Sequence, residues 1–225
     1  ISQTAKLTNW IVEDAKTARA FLKAVDSISP LACTIQEMQM SEWRGVARNA
    51  KYGDAVKPID LLKPLIAGKD MGLMSEAGVP GVADPGAELV LAAHKLGAKV
   101  KPLVGPSSIL LGLMASGLNG QRFAFQGYIP HDAQDRIARL KQLEVESRKL
   151  QQTQIWIETP YRNIAMLMSC LNTLAPQSML CMGMDLSLKT EMIATLSIAD
   201  WHKRYPNEAA CSALQNRPAI FLLLA

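Results

Sequence analysis

Apolar positions along the chain switch between two patterns, short unbroken runs and stripes with helical spacing. Residues 10–12 form a short apolar run that reads as a strand. Asp14 stands where a helix N-cap belongs. Ala18, Phe21, Leu22 and Val25 then recur at i, i+3, i+4 and i+7, one apolar face of a helix. Ser29-Pro30 closes that unit, and residues 31–38 are apolar enough for a second strand. Residues 41–57 are polar, contain Gly45 and Gly53, and read as a loop. Residues 59–67 predict a short helix closed by Gly68, and residues 71–74 a strand. A helix follows, with Asp84 as its N-cap and Pro85 in its first position. Leu89, Val90, Ala93 and Leu96 form its apolar face, and Gly97 is its stop. Residues 100–104 read as the next strand, running into Gly105-Pro106-Ser107-Ser108 and a helix to Ser116.

Gly117-Leu118-Asn119-Gly120 is a turn-rich break. It sets the expected division, an N-terminal α/β domain over 1–118 and a C-terminal α/β domain with a mixed sheet over 119–225. The second half opens with an extended aromatic segment at 123–127 and a charged helix over 133–150, with Ile137, Leu140 and Leu143 on its apolar side. Residues 154–157 predict a strand. Ile164, Leu167, Met168, Leu171 and Leu174 mark a helix. The remainder reads as β-rich, with strands at 179–184, 191–197 and 219–224. Strand and helix alternate throughout, which points to an α/β fold.

Composition narrows the class. In 225 residues, 49% are apolar and 20% charged, enough for a full hydrophobic core. No apolar run reaches the roughly 18 residues of a membrane helix, so no membrane partner is expected, and the polar start does not read as a signal peptide. The net charge of +4 permits an anionic partner without demanding one. Cys33, Cys170, Cys181 and Cys211 form no C-x-x-C pair, and His94, His131 and His202 lack metal-ligand spacing. The thiols read as reduced, in a cytoplasmic protein, and no metal is expected.

The candidate chemistry lies where strands end. Ser75-Glu76-Ala77-Gly78-Val79-Pro80-Gly81-Val82-Ala83-Asp84-Pro85-Gly86 packs three glycines and two prolines into twelve residues. Such a loop is tight and presents backbone N–H and C=O groups to a ligand, and Glu76 can accept from a hydroxyl or ammonium. The plain alternative is a strand-to-helix connection. The loop is not G-x-G-x-x-G and has no Walker lysine, so neither dinucleotide nor triphosphate binding is favoured. Ser107 and Ser108 either cap their helix or bond a ligand carboxylate. Glu158-Thr159-Pro160-Tyr161-Arg162 places an acid, a phenol and a guanidinium after a strand, for a ligand or for a local ion pair. The basic residues between Arg136 and Lys149 are diluted by Glu144 and Glu146, as on a solvated helix face.

Together these motifs resemble the tetrapyrrole methylase superfamily. The loop from Ser75 matches its S-[DE]-A-G-x-P-x-x-x-D-P-G signature, in the branch of ribosomal RNA small subunit methyltransferase I and its short relatives. Pro102-Leu103-Val104-Gly105-Pro106-Ser107-Ser108, Ser116-Gly117-Leu118 and Arg122-Phe123-Ala124-Phe125-Gln126-Gly127-Tyr128-Ile129-Pro130 follow in the family's order. Glu158 to Arg162 resembles its E-[ST]-P-[HY]-R. The resemblance implies two α/β domains with S-adenosylmethionine in the cleft between them, and a homodimer. It assigns Ser75, Glu76, Ala77, Gly78 and Val79 to one cofactor loop and Ser107 and Ser108 to a second. Ile157, Glu158 and Thr159 would reach the cofactor from the second domain, with Pro218 and Ala219 near the adenine. Nothing before Trp10 matches the family's opening strand and proline- and glycine-containing loop, so the expected fold lacks its first strand.

The expected function is S-adenosylmethionine-dependent methyl transfer, leaning to a ribose 2′-oxygen of ribosomal RNA. Methylation of a tetrapyrrole-like small molecule is the second expectation, and a cofactor-binding protein without catalysis the third. A ribose hydroxyl needs help losing its proton, and Glu76 and Glu158 are the candidate bases.

Overall fold

The structure, a computed structural model, describes residues 1–45 and 56–225. It divides into two compact units, Ile1–Pro106 and Ser107–Ala225.

The first unit is built on a parallel sheet of three four-residue strands, β1 (Asn9–Val12), β2 (Gln39–Glu42) and β3 (Met71–Met74), in the order β2-β1-β3. All of β1 is buried, as expected for the centre of a parallel sheet covered on both faces. Trp10 and Val12 pack with Ala18 and Leu22 of helix α1 (Ala15–Asp26), while Ile11 points the other way to Trp43, Leu62, Leu89 and Ala93. Asp14 caps α1 as its spacing predicts, accepting from the N–H groups of Lys16 and Thr17. Ala18, Leu22 and Val25 of the predicted face are buried, but Phe21 is half exposed.

Five expectations change here. Residues 31–38 are a turn, not a strand. The Thr34 N–H and hydroxyl donate to the Glu37 carboxylate (3.0 and 2.8 Å), local bonds that compete with a sheet ladder, and pairing starts only at Gln39. The single helix over 59–67 is two short ones, α2 (Pro58–Leu61) and α3 (Lys63–Ile66), because a second proline restarts the chain. Residues 100–104 pair with no strand among the described residues; Pro102 removes a donor and Val104 is fully exposed. Asp84 does not cap the next helix. Helix α4 (Ala87–Lys95) starts after Gly86, which takes the cap position at φ 137° without a side-chain bond. The expected loop over 41–57 starts only after β2, and its residues 46–55 lie outside the described residues.

The second unit carries a five-stranded sheet in the order β4-β5-β8-β6-β7, with β4 (Phe123–Tyr128), β5 (Thr153–Glu158), β6 (Met179–Met184), β7 (Met192–Ser197) and β8 (Ala219–Leu224). β4 and β5 run parallel and the other neighbours antiparallel. The side chains of β8 alternate between two cores. Phe221 and Leu223 join Trp156, Leu180 and Met182, while Ile220 and Leu222 join Ile155 and Cys181. Trp156 and Phe221 are cross-strand partners and stack at 5.7 Å. Helix α5 (Ser108–Ser116) covers the smaller core. Helices α6 (Ala133–Leu150), α7 (Asn163–Thr173) and α8 (Ile198–Arg204) lie against the larger. The expected break at 118/119 and the observed division at 106/107 differ by α5, whose Gly112 sits against Ile220 and Leu222. Between the expected strands of the β-rich tail lie α8 and a 3-10 turn at Glu208–Leu214, neither of which was expected. Among the described residues no helix is long and apolar enough to cross a membrane.

Gly72 lies under the buried Trp10 ring, and a Cβ there would overlap the indole. Gly72→Ala should therefore lower unfolding stability by about 1–3 kcal/mol in denaturant titration.

Candidate functional site

Three parallel strands end at one edge, so the residues after Val12, Glu42 and Met74 lie side by side. The loop at 75–86 leaves β3 there. Gly78, Gly81 and Gly86 have φ of 71°, 79° and 137°, and Ala83 is also left-handed at 60°. A Cβ at Gly86 would stand 3.0 Å from Leu73 Cδ2 and 3.4 Å from the Gly81 nitrogen, so the loop closes on itself. The Ser75 hydroxyl donates to the Ala77 carbonyl at 3.1 Å. Glu76 and Ala77 are exposed, as is Gly78, while Ser75 and Val79 are half-buried.

Asp84 turns into this loop instead of capping α4, with its Oδ2 3.7 Å from where a Gly78 Cβ would stand. Burial and the Glu13 carboxylate push the Asp84 carboxyl up, against a hydrogen bond from Ser75. Glu13 was not singled out from the sequence, although it directly follows the first strand and precedes the helix cap. Its carboxylate accepts the Glu76 N–H at 3.2 Å.

In the second unit, the start of β8 lies beside the ends of β5 and β6. Glu158 pairs with Ala219, Ile157 with Ile220 and Met184 with Ala219, and the Asp185 N–H donates to the Pro218 carbonyl at 3.1 Å. The structure thus brings Ile157, Glu158 and Thr159 together with Pro218 and Ala219. Helix α5 runs away from this end. Its C-terminal Ser116 accepts from Thr195, opposite Cys181, while Gly112 lies nearer Ile220. Its N-terminal Ser107 and Ser108 therefore face the Ala219 side. Ser107 holds the cap position without a side-chain cap bond, so the capping alternative is not realised.

Glu158 is engaged. Its side chain is fully buried, with Oε1 accepting from the Thr159 N–H (2.7 Å) and hydroxyl (3.2 Å) and Oε2 3.3 Å from Arg162. Arg162 also donates to the Pro130 carbonyl at 2.9 Å. The ion-pair alternative holds for this motif, and what the strand end offers a ligand is backbone and Thr159. Asp185 was also missed, although it follows the strand at 179–184. The Arg217 guanidinium (2.8 Å) and Thr190 hydroxyl (2.9 Å) hold its carboxyl below the usual carboxylate range.

The raised Asp84 carboxyl has a testable sign. The folded chain binds this proton more tightly than the unfolded chain, so stability falls as pH rises through the window between the ordinary and the raised pKa. Asp84→Asn should raise Tm at about pH 7 and leave it unchanged at about pH 3, by thermal unfolding at both.

No protein-family model matches the chain. It is 34% identical over 138 residues to ribosomal RNA small subunit methyltransferase I of Pseudomonas aeruginosa, covering 61% of this chain and 48% of that protein. The chain thus spans about half the length of the curated relatives it matches. Among solved structures, uroporphyrin-III-C-methyltransferase from Thermus thermophilus has a TM-score of 0.52 at 14% identity, covering 99% of this chain and 84% of that one. A cobalt precorrin-4 methyltransferase has a TM-score of 0.53 at 12% identity, with coverage of 97% and 84%. The chain has the tetrapyrrole methylase fold, and its sequence is similar to that of ribosomal RNA small subunit methyltransferase I.

Proposed function

We propose that the chain is part of, or is itself, an S-adenosylmethionine-dependent methyltransferase acting on ribosomal RNA. The observation that carries this reading is the sequence similarity to proteins named for that reaction. The local geometry supports it. A tight, glycine-shaped loop stands at the carboxyl edge of a parallel sheet, and two serines stand at a helix N-terminus, where backbone N–H groups favour a carboxylate.

When bound, S-adenosylmethionine supplies an electrophilic methyl group on a sulfonium. Ser75, Ala77, Gly78 and Val79 would hold it through their backbone, Ser107 and Ser108 through hydroxyl and N–H groups. Ile157, Thr159, Pro218 and Ala219 would hold it at the end of the second sheet. The protein's task is then to orient an acceptor atom about 3 Å from the methyl carbon, in line, and to exclude water. Between the two candidate bases, Glu76 is exposed and its carboxylate makes no hydrogen bond among the described residues, whereas Glu158 is locked to Thr159 and Arg162. Glu76 is the better placed to take a proton from a ribose hydroxyl.

An RNA acceptor draws little on the basic helix. Arg136 donates to Ser169 and the His131 carbonyl, and Arg139 to Gln126 beside Glu146, which leaves Lys141, Arg148 and Lys149 as exposed cations. A ribosomal substrate would place the protein in the cytoplasm. By the same family resemblance it would act as a homodimer.

Methyl-labelled S-adenosylmethionine and undermethylated small ribosomal subunits test the reading. Label should enter the RNA, binding should weaken steeply with salt, and Glu76→Gln should lower kcat at least tenfold with the cofactor KM within about threefold. Label entering a tetrapyrrole and not RNA would overturn the RNA assignment, and no transfer to either would overturn the enzyme.

A further inference from the structure

We propose that Glu13 is the positioning residue of the loop at 75–86, an inference that rests on the cofactor role given to that loop above. The β1–β3 ladder ends where Val12 faces Met74, and beyond that register the loop has to be held by something other than sheet pairing. Glu13 supplies two bonds there. Its backbone N–H donates to the Met74 carbonyl at 3.2 Å, and its carboxylate Oε2 accepts the Glu76 N–H at 3.2 Å. The two bonds flank Ser75, so a single residue grips the first loop peptides from both sides. The Ser75–Ala77 bond is internal to the loop and fixes its turn without fixing its direction from the sheet.

Glu13 is itself held. Its carbonyl accepts from Arg44 Nε at 3.1 Å, and the same guanidinium lies 3.4 Å from Asp14 and 3.9 Å from Glu42. The ends of β1, β2 and β3 are thereby joined through one arginine and one glutamate. Among the described residues outside the loop, only the Glu13 side chain hydrogen-bonds the loop backbone beyond the ladder. Its action depends on reach: an acceptor oxygen must stand one residue past Met74. Aspartate carries the same charge on a side chain one methylene shorter and falls short of the Glu76 amide, whereas glutamine keeps both reach and acceptor.

The test is calorimetric titration of S-adenosylhomocysteine into the full chain, alongside amide hydrogen exchange at Glu76. Glu13→Ala and Glu13→Asp should each weaken binding about tenfold and speed exchange at the Glu76 amide, while Glu13→Gln stays within about threefold of the parent in both. A role through charge toward a cationic ligand would give the reverse order, with glutamine failing and aspartate surviving, and would overturn the proposal. So would parent-like binding and exchange in the alanine and aspartate variants. Should the alanine variant not fold, the aspartate and glutamine pair decides. Should the unmodified chain bind no S-adenosylhomocysteine, the cofactor reading fails by itself. Exchange at Glu76 still decides on Glu13, and unchanged exchange in Glu13→Asp overturns its positioning role.

Discussion

Parallel pairing is the constraint on which the first unit depends. Three strands of four residues, paired in the same direction, must deliver all their carboxyl ends to one edge. The central strand is buried on both faces and has no surface of its own to offer. Chemistry is therefore pushed off the ladder into the residues that follow it. Glu13 and Asp14 follow β1, Trp43 and Arg44 follow β2, and Ser75 and Glu76 follow β3. The hydrogen bonds among these groups, together with the left-handed backbone of the glycine loop, shape that edge.

The second unit reaches a similar end by antiparallel pairing. β8 lies between β5 and β6, so the start of β8 meets the ends of both neighbours. Pro218, Ala219, Glu158 and Met184 are neighbours for that reason alone. Two ion pairs brace this end of the sheet, Glu158 with Arg162 and Asp185 with Arg217. A buried carboxylate locked in this way sets the direction of the chain after the strand. That is a different task from proton transfer, and it separates Glu158 from the exposed Glu76.

Much of this was legible in the sequence. Apolar runs located β1 and β3, an apolar stripe located α6, and a stripe with Asp14 as its start signal located α1. The glycine loop was legible because its spacing is shared with a family. What was not legible depended on competition between local and long-range bonds. Residues 31–38 have strand-like composition, but Thr34 and Glu37 satisfy each other locally. Asp84 has the right spacing for a cap, yet the loop's turns carry it toward Gly78 and Glu13. Helix α8 had a readable signal, Ser197 followed by Asp200, which bond each other reciprocally, but the apolar strand before it masked the change of period. Glu13 had none beyond its place after a strand, since its partner is the backbone of a residue 63 positions away.

Cofactor binding is the proposal on which the functional reading rests, at residues 75–86 in the first unit and at residues 157–159 and 218–219 in the second. Amide hydrogen exchange with and without S-adenosylhomocysteine tests it most directly. The account predicts slowed exchange in 75–86, in the first turn of α5 and in both segments of the second sheet, with the far end of each sheet unchanged. Protection confined to other segments, or none at saturating ligand, would contradict it.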